Sequence, residues 1–256
     1  MLPVRKLGAS DLQTGMLALG LVKLGRTSGV KYPTPVQLPT DAEARELLAT
    51  ARALGINLLD TAPAYGTSET RLGELLFGQR QDWLLSTKVG ETFDGEQSSY
   101  DFSASATRAS VERSLKRLQT DYLDLVLIHS DGRDLEILDQ FGTLETLKDM
   151  QAEGKIRLAG ISHKTVAGAE RAMELGADVL MATLNPDYQD ELEVIARAGA
   201  AGVAVLIKKA LASGHGQSAD LAWVGAQSGV CSIVVGTTNP LHLRENADVL
   251  VSSAPS

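Results

Sequence analysis

Eight times along its length this chain repeats one pattern. A short run of aliphatic and β-branched residues ends in polar residues or Gly and gives way to a segment whose apolar positions recur with helical spacing. The runs lie at 16–20, 56–62, 83–88, 122–129, 156–162, 179–184, 203–209 and 232–237. Strands that are apolar on both faces, each followed by a helix, belong to a parallel sheet covered by helices. Eight such units in 256 residues match a (β/α)8 TIM barrel in the α/β class, expected as one domain over 1–256. A doubly wound sheet is the alternative, but it usually carries a Gly-rich fingerprint after its first strand, and "ALGLVKLGR" contains no such motif. Helix punctuation agrees with the alternation. Thr40 and Glu43 form a capping box, Gly55 stops the helix they begin, and Asn239-Pro240 supplies an N-cap and first-turn proline for the last one. The opening "VRKLGASDLQTGML" places a turn between apolar flanks and predicts a β-hairpin closing the bottom of the barrel.

Composition narrows the function classes. The net charge is −8 with no basic block, which argues against nucleic acid as a partner. Cys231 is the single cysteine, so an intrachain disulfide and a Cys-based metal cluster are both excluded, and a reducing, cytoplasmic setting is expected. The N-terminus lacks the apolar core of a secretion signal, and no apolar run reaches the ~20 residues that cross a bilayer, so no membrane association is expected. His129, His163, His215 and His242 show no metal-ligand spacing, and no metal site is expected.

In a (β/α)8 barrel, chemistry collects where the strands end and the βα-loops converge. The second strand ends in Asp60 with Tyr65 just beyond it, the third in Lys88 and the fourth in His129. A carboxylate, a phenol, an ammonium and an imidazole would then surround one cavity, where Asp60 and Lys88 neutralise one another. A phenol is a reluctant acid at neutral pH, and a neighbouring ammonium is expected to pull its pKa toward the working range. Tyr65 would donate a proton, Asp60 would orient Lys88, and His129 would hydrogen-bond a substrate oxygen.

The segments "LGINLLDTAPAYGTSETRLGELL", "STKVG", "VERSLKRLQTDYLDLVLIH", "GKIRLAGIS" and "PLHLREN" resemble, in order, the signatures of the aldo-keto reductases. The resemblance implies a catalytic tetrad of Asp60, Tyr65, Lys88 and His129. It also implies reversible hydride transfer between a nicotinamide dinucleotide and a carbonyl or alcohol, such as aldehyde or ketone reduction. In that family a Ser-Asn pair and a Gln hold the cofactor carboxamide. Here Ser162 matches, His163 stands for the Asn and Met181 for the Gln, while Lys208 takes the place of a Tyr that stacks on the nicotinamide. The resemblance carries Lys209, Leu211 and Ser213 past the phosphates and Gly236 and Thr237 to the last strand end. It puts His242 at a 2′-phosphate-binding Arg, and Glu245 and Asn246 beside the adenine. NADP(H) is favoured, with NAD(H) the alternative.

Two long loops, 21–39 and the segment after Lys88, hold Tyr32, Phe93, Tyr100 and Phe102, four of eleven aromatics, and are expected to wall a substrate pocket. Lys23 and Arg26 in the first of them read as solvated loop charges, with a handle for an acidic substrate as the alternative. Small-molecule carbonyls or alcohols are the expected partners of a monomer or weak oligomer. Two rival functions stand beside this one: a Schiff-base lyase using Lys88 or Lys208, and a nucleotide-binding regulatory protein with weak or no turnover, as the potassium-channel β-subunits resemble this family.

Overall fold

The computed structural model describes residues 1–29 and 37–253; Tyr32 falls outside them. Eight parallel strands close into a barrel: β1 (Leu17–Gly20), β2 (Leu58–Asp60), β3 (Leu84–Val89), β4 (Leu123–His129), β5 (Ile156–Ser162), β6 (Val179–Thr183), β7 (Ala204–Lys208) and β8 (Val230–Val235). Each pairs with the next, and β8 returns to β1 through Ile233 opposite Leu17. The surrounding helices are α1 (Asp41–Leu54), α2 (Ser68–Leu75), α3 (Ala104–Leu118), α4 (Thr143–Ala152), α5 (Val166–Glu174), α6 (Leu192–Ala200), α7 (Asp220–Gly225) and α8 (Pro240–Ser252). The expected (β/α)8 barrel is therefore the fold observed. Its caps form as the sequence predicts: Thr40 and Glu43 complete the capping box of α1, Gly55 closes it at φ 85°, and Asn239 caps α8 ahead of Pro240.

Residues two apart on a strand share a face, and this alternation sorts the apolar runs into two cores. Leu17, Leu19, Leu59, Leu85, Val126, Ile128, Ile161, Val205 and Ile207 face the helices. Ala18, Leu58, Leu125, Leu127, Leu158, Met181 and Leu206 fill the barrel itself, together with Leu7 and Leu12. Those last two come from the N-terminal hairpin, Val4–Lys6 paired antiparallel with Gln13–Gly15, which plugs the bottom. Its turn docks closely: Ala9 N–H donates to the Gly202 carbonyl at 2.7 Å, and at Gly8, φ 59°, a Cβ would lie 2.3 Å from that same oxygen.

Some elements lack a counterpart in the sequence pattern. The segment after Lys88 is partly a β-ribbon, Glu91–Phe93 against Ser98–Tyr100, and a helix, Asp134–Gln140, precedes α4. The ribbon also revises the expected aromatic wall. Phe102 is 2% exposed and packs in the core 6.2 Å from the Phe141 ring, whereas Tyr100 is 41% exposed and stacks over Phe102.

Asp124, 1% exposed near the start of β4, accepts from Arg80 (2.7 Å), Arg157 (3.2 Å) and the Leu85 N–H (2.9 Å). Its removal takes the buried carboxylate from two guanidinium groups and leaves the Leu85 N–H without its acceptor. Urea denaturation of Asp124→Ala should show a loss of about 2–4 kcal/mol. A variant within about 0.5 kcal/mol of wild type would mean that this carboxylate does not hold β3 and β4 together.

Candidate functional site

The inward positions at the C-terminal strand ends are Asp60, Lys88, His129, Ser162, Thr183 and Lys208, and they ring one mouth. The register makes this so. Asp60 lies opposite Ser86, two residues before Lys88, and His129 lies opposite Ser162. Asp60, Ser86 and Lys88 therefore share the inner face. Lys88 Nζ donates to both Asp60 oxygens (2.8 and 2.7 Å) and to the Thr61 carbonyl (3.0 Å), while Ser86 Oγ donates to Asp60 Oδ1 at 2.9 Å. Lys88 is 1% and Asp60 3% exposed. Burial works against the Lys88 charge, yet Asp60 and Tyr65 together raise its pKa above the ordinary lysine value.

Tyr65 stands on the turn between β2 and α2, where the chain crosses the short helix Val22–Gly25 that follows β1. Two glycines allow the crossing. A Cβ at Gly25 would lie 2.3 Å from the Tyr65 carbonyl oxygen, and one at Gly66, φ 60°, would lie 2.1 Å from the Gly25 carbonyl oxygen. The Tyr65 ring has its centroid 4.8 Å from Lys88 Nζ and meets the His129 ring edge-on, centroids 6.1 Å apart. All four groups of the expected tetrad thus converge. The expected acidity of Tyr65 does not follow in this state. Burial pushes its phenol up to about 12, because the downward pull of Lys88 is smaller than burial and is further opposed by Asp60.

The mouth also holds acidic groups that the sequence pattern did not single out. Glu91, on the first strand of the ribbon, brings Oε2 to 2.7 Å from His129 Nδ1 and accepts from Ser98 Oγ at 2.5 Å. Arg26 lies 3.7 Å from the same carboxylate, stacks over Phe93 and donates to the Ala64 carbonyl. It is thus engaged by the protein rather than presented as a substrate handle. Burial opposes the Glu91 charge, but His129, Ser98 and Arg26 bring its carboxyl down to about 2. The only sequence signal for Glu91 was a carboxylate three residues beyond a strand-end lysine.

Across the mouth, Lys208 reaches over β6 to β5, donating to Ser162 Oγ at 2.9 Å and the His163 carbonyl at 2.6 Å. Burial pushes its pKa down to about 7 despite the favourable field of Glu191, with Lys209 adding to the fall. His163 is fully enclosed; its Nδ1 lies 3.4 Å from Glu191 Oε2 without forming a hydrogen bond, and burial lowers the imidazole to about 3. Met181 is buried inside the barrel.

The remaining candidates lie along the ends of β7 and β8. Lys209, Ala212 and Ser213 all adopt positive φ, so the chain after β7 turns sharply over the mouth, with Leu211 half-buried within it. Asn185 Nδ2 fastens that turn by donating to the Lys209 carbonyl at 3.1 Å. Past β8, Gly236 is half-buried, and Thr237 Oγ1 accepts from the Asn239 N–H at 3.0 Å at the entrance to α8. On that helix His242 and Glu245 are exposed, whereas Asn246 is buried on its inner side. Among the described residues no group of side chains is arranged to hold a metal ion, and no helix is long and apolar enough to cross a membrane.

Comparison with known proteins agrees with the fold. The model of the aldo/keto reductase family matches residues 16–220. A putative aldo-keto reductase from Pseudomonas aeruginosa is 50% identical, with a TM-score of 0.90 over 98% of this chain and 95% of that one. The aldo-keto reductase AKR11C1 from Bacillus halodurans, in its holo form, is 26% identical with a TM-score of 0.83 over 100% and 93%. Among curated relatives, the oxidoreductase YqkF of Bacillus subtilis (strain 168) is 36% identical over 162 residues, 62% of this chain and 48% of that protein. The chain thus spans about half the length of that relative. The methylglyoxal reductase YeaE of Escherichia coli (strain K12) is 32% identical over 77% of this chain and 75% of that protein. The chain belongs to the aldo-keto reductase family, a family of oxidoreductases.

Proposed function

We propose that this protein reversibly transfers a hydride between a nicotinamide dinucleotide and a small carbonyl or alcohol. The observation that carries the reading is the convergence of Asp60, Lys88, Tyr65 and His129 at one barrel mouth. The dinucleotide, when bound, supplies or accepts the hydride. The chain's own groups handle the proton and the substrate oxygen. Tyr65 gives its phenolic hydrogen to the oxygen of the reduced carbon. The buried ammonium of Lys88, held by Asp60, stabilises the phenolate that remains. His129 orients the same oxygen from the other side. With a phenol near 12, Tyr65 stays protonated throughout the neutral range and gives up its hydrogen only to a strongly basic oxygen.

Residues able to hold the dinucleotide lie on the β5, β7 and β8 side. The N-terminus of α8 and the turn containing Lys209 and Ser213 suit the pyrophosphate, since helix N-termini attract anions. Leu211, Gly236 and Thr237 would line that side, and Glu245 and Asn246 would meet the adenine. Ser162 and Lys208 are the residues that would hold the carboxamide. His163, being enclosed, does not support a direct contact there. NADP(H) is the favoured coenzyme and NAD(H) the alternative, an imidazole at 242 being a weaker partner for a 2′-phosphate than the forked guanidinium of arginine.

A nucleotide-binding protein with weak turnover is the second reading. It is favoured by the engagement of Ser162 Oγ with Lys208, which leaves the carboxamide side partly occupied. Fluorescence titration with reduced nicotinamide coenzymes, followed by turnover of a reactive aldehyde, separates the two. Under the first reading Tyr65→Phe lowers kcat by about 10²–10⁴ while leaving coenzyme affinity and melting temperature near wild type. Unchanged turnover in that variant would remove Tyr65 from the chemistry. His242→Arg should raise the preference for NADPH over NADH, and equal gains for both coenzymes would show that position 242 does not meet the 2′-phosphate.

The depressed pKa of Lys208 has a thermodynamic sign that can be read directly. Its charge is disfavoured in the folded state, so the penalty is fully present below about 7 and fades toward the ordinary lysine value of 10.5. Wild type should therefore gain stability relative to Lys208→Met as pH rises from 7 to 10 in parallel urea titrations. A difference independent of pH would mean that Lys208 is not desolvated.

A further inference from the structure

The imidazole of His129 has two unlike nitrogens. Its Nδ1 is enclosed and lies 2.7 Å from Glu91 Oε2, while 22% of the side chain remains open, which leaves Nε2 as the nitrogen on the mouth side. The Glu91 carboxylate is itself held from two directions, by Ser98 Oγ on the partner strand of the ribbon and by Arg26 after β1. An ionised carboxylate only accepts hydrogen bonds, so a nitrogen against it carries the hydrogen. The 2.7 Å contact approaches Nδ1 off the N–H axis, so the carboxylate acts on that nitrogen through its charge at short range rather than through an aligned hydrogen bond.

We propose that Glu91 is a positioning residue that holds His129 in the tautomer with its hydrogen on Nδ1, so that the Nε2 presented to substrate is a bare acceptor. Resting on the hydride-transfer reading above, this assigns His129 two states with opposite uses. Neutral, its Nε2 accepts a hydrogen bond from a substrate hydroxyl, which suits an alcohol. As an imidazolium paired with the Glu91 carboxylate, it donates from Nε2 to a carbonyl oxygen, which suits reduction. No proton is created or lost within the pair: one is taken up from solvent in passing from the first state to the second. The groups facing His129 are Glu91 on the ribbon, which favours the charged ring, and Lys88 on β3 and Lys208 on β7, which disfavour it; Tyr65 packs against its edge. Burial is the largest influence and lowers its pKa from the ordinary histidine value, so the neutral form dominates at neutral pH.

Nitrogen-15 NMR of the imidazoles tests the tautomer without relying on turnover, and the chain has only four histidines to assign. The wild-type protein should show His129 with its hydrogen on Nδ1 above its titration midpoint. Glu91→Gln should lose that preference and titrate at lower pH, because the anion that supports the charged ring is gone. A His129 carrying its hydrogen on Nε2 in the wild type would overturn the proposal whether or not the variant folds, as would an unchanged tautomer and midpoint in Glu91→Gln. In kinetics, Glu91→Gln should move the pH profile for carbonyl reduction to lower pH and reduce kcat about ten-fold at neutral pH, with a smaller effect on alcohol oxidation. Equal losses in both directions with no shift of the profile would reduce Glu91 to a structural role. If no coenzyme turnover is found at all, the hydride-transfer reading fails while the NMR result still decides the role of Glu91.

Discussion

A lysine ammonium with almost no access to water must be paired, and the Asp60–Lys88 ion pair is the contact around which the barrel mouth is organised. Removing either partner would strand a buried charge, so β2 and β3 have to lie in the register that brings both side chains inward. Ser86, between them on the same face, takes up further capacity of the carboxylate. Once that register is set, closure of the sheet carries His129, Ser162, Thr183 and Lys208 to the same rim. The turn bearing Tyr65 is then held above the pair by the glycine crossing at Gly25 and Gly66.

Around that pair the mouth divides into two halves with different electrostatics. On the β2 to β4 side the charges are firmly matched: Lys88 with Asp60, and Glu91 with Arg26, Ser98 and the His129 ring. On the β5 to β7 side Lys208 is bonded to a hydroxyl and a carbonyl, neither of which repays its desolvation as a carboxylate in contact would. Glu91 therefore keeps its charge through the neutral range, whereas Lys208 changes protonation within it.

Much of this was legible in the chain, for identifiable reasons. The run at 156–162 coincides with β5 because its aliphatic residues suit a buried strand and polar residues bound it. The run at 56–62 proved longer than β2, since Thr61 and Ala62 already belong to the turn that carries Tyr65. The ribbon leaves no pattern in the sequence because its strands are three residues each and mostly polar, and the Asp134–Gln140 helix leaves none because only Ile137 and Leu138 anchor its apolar side. Phe102 looked like a pocket residue on a long loop. The positive φ of Gly90 folds that loop back, and without a Cβ at Gly90 the ring packs directly on the backbone there.

By itself, then, the order of residues determined the eight strand–helix units, their caps, the hairpin and the four strand-end groups, since local periodicity and punctuation depend only on neighbours along the chain. Tertiary structure alone decided which face of each apolar strand turns inward, that Glu91 meets His129, that Lys208 spans from β7 to Ser162, and that burial outweighs the ammonium in setting the acidity of Tyr65. Those outcomes depend on depth and on partners distant in sequence, and no short stretch of residues encodes how much water a closed barrel excludes.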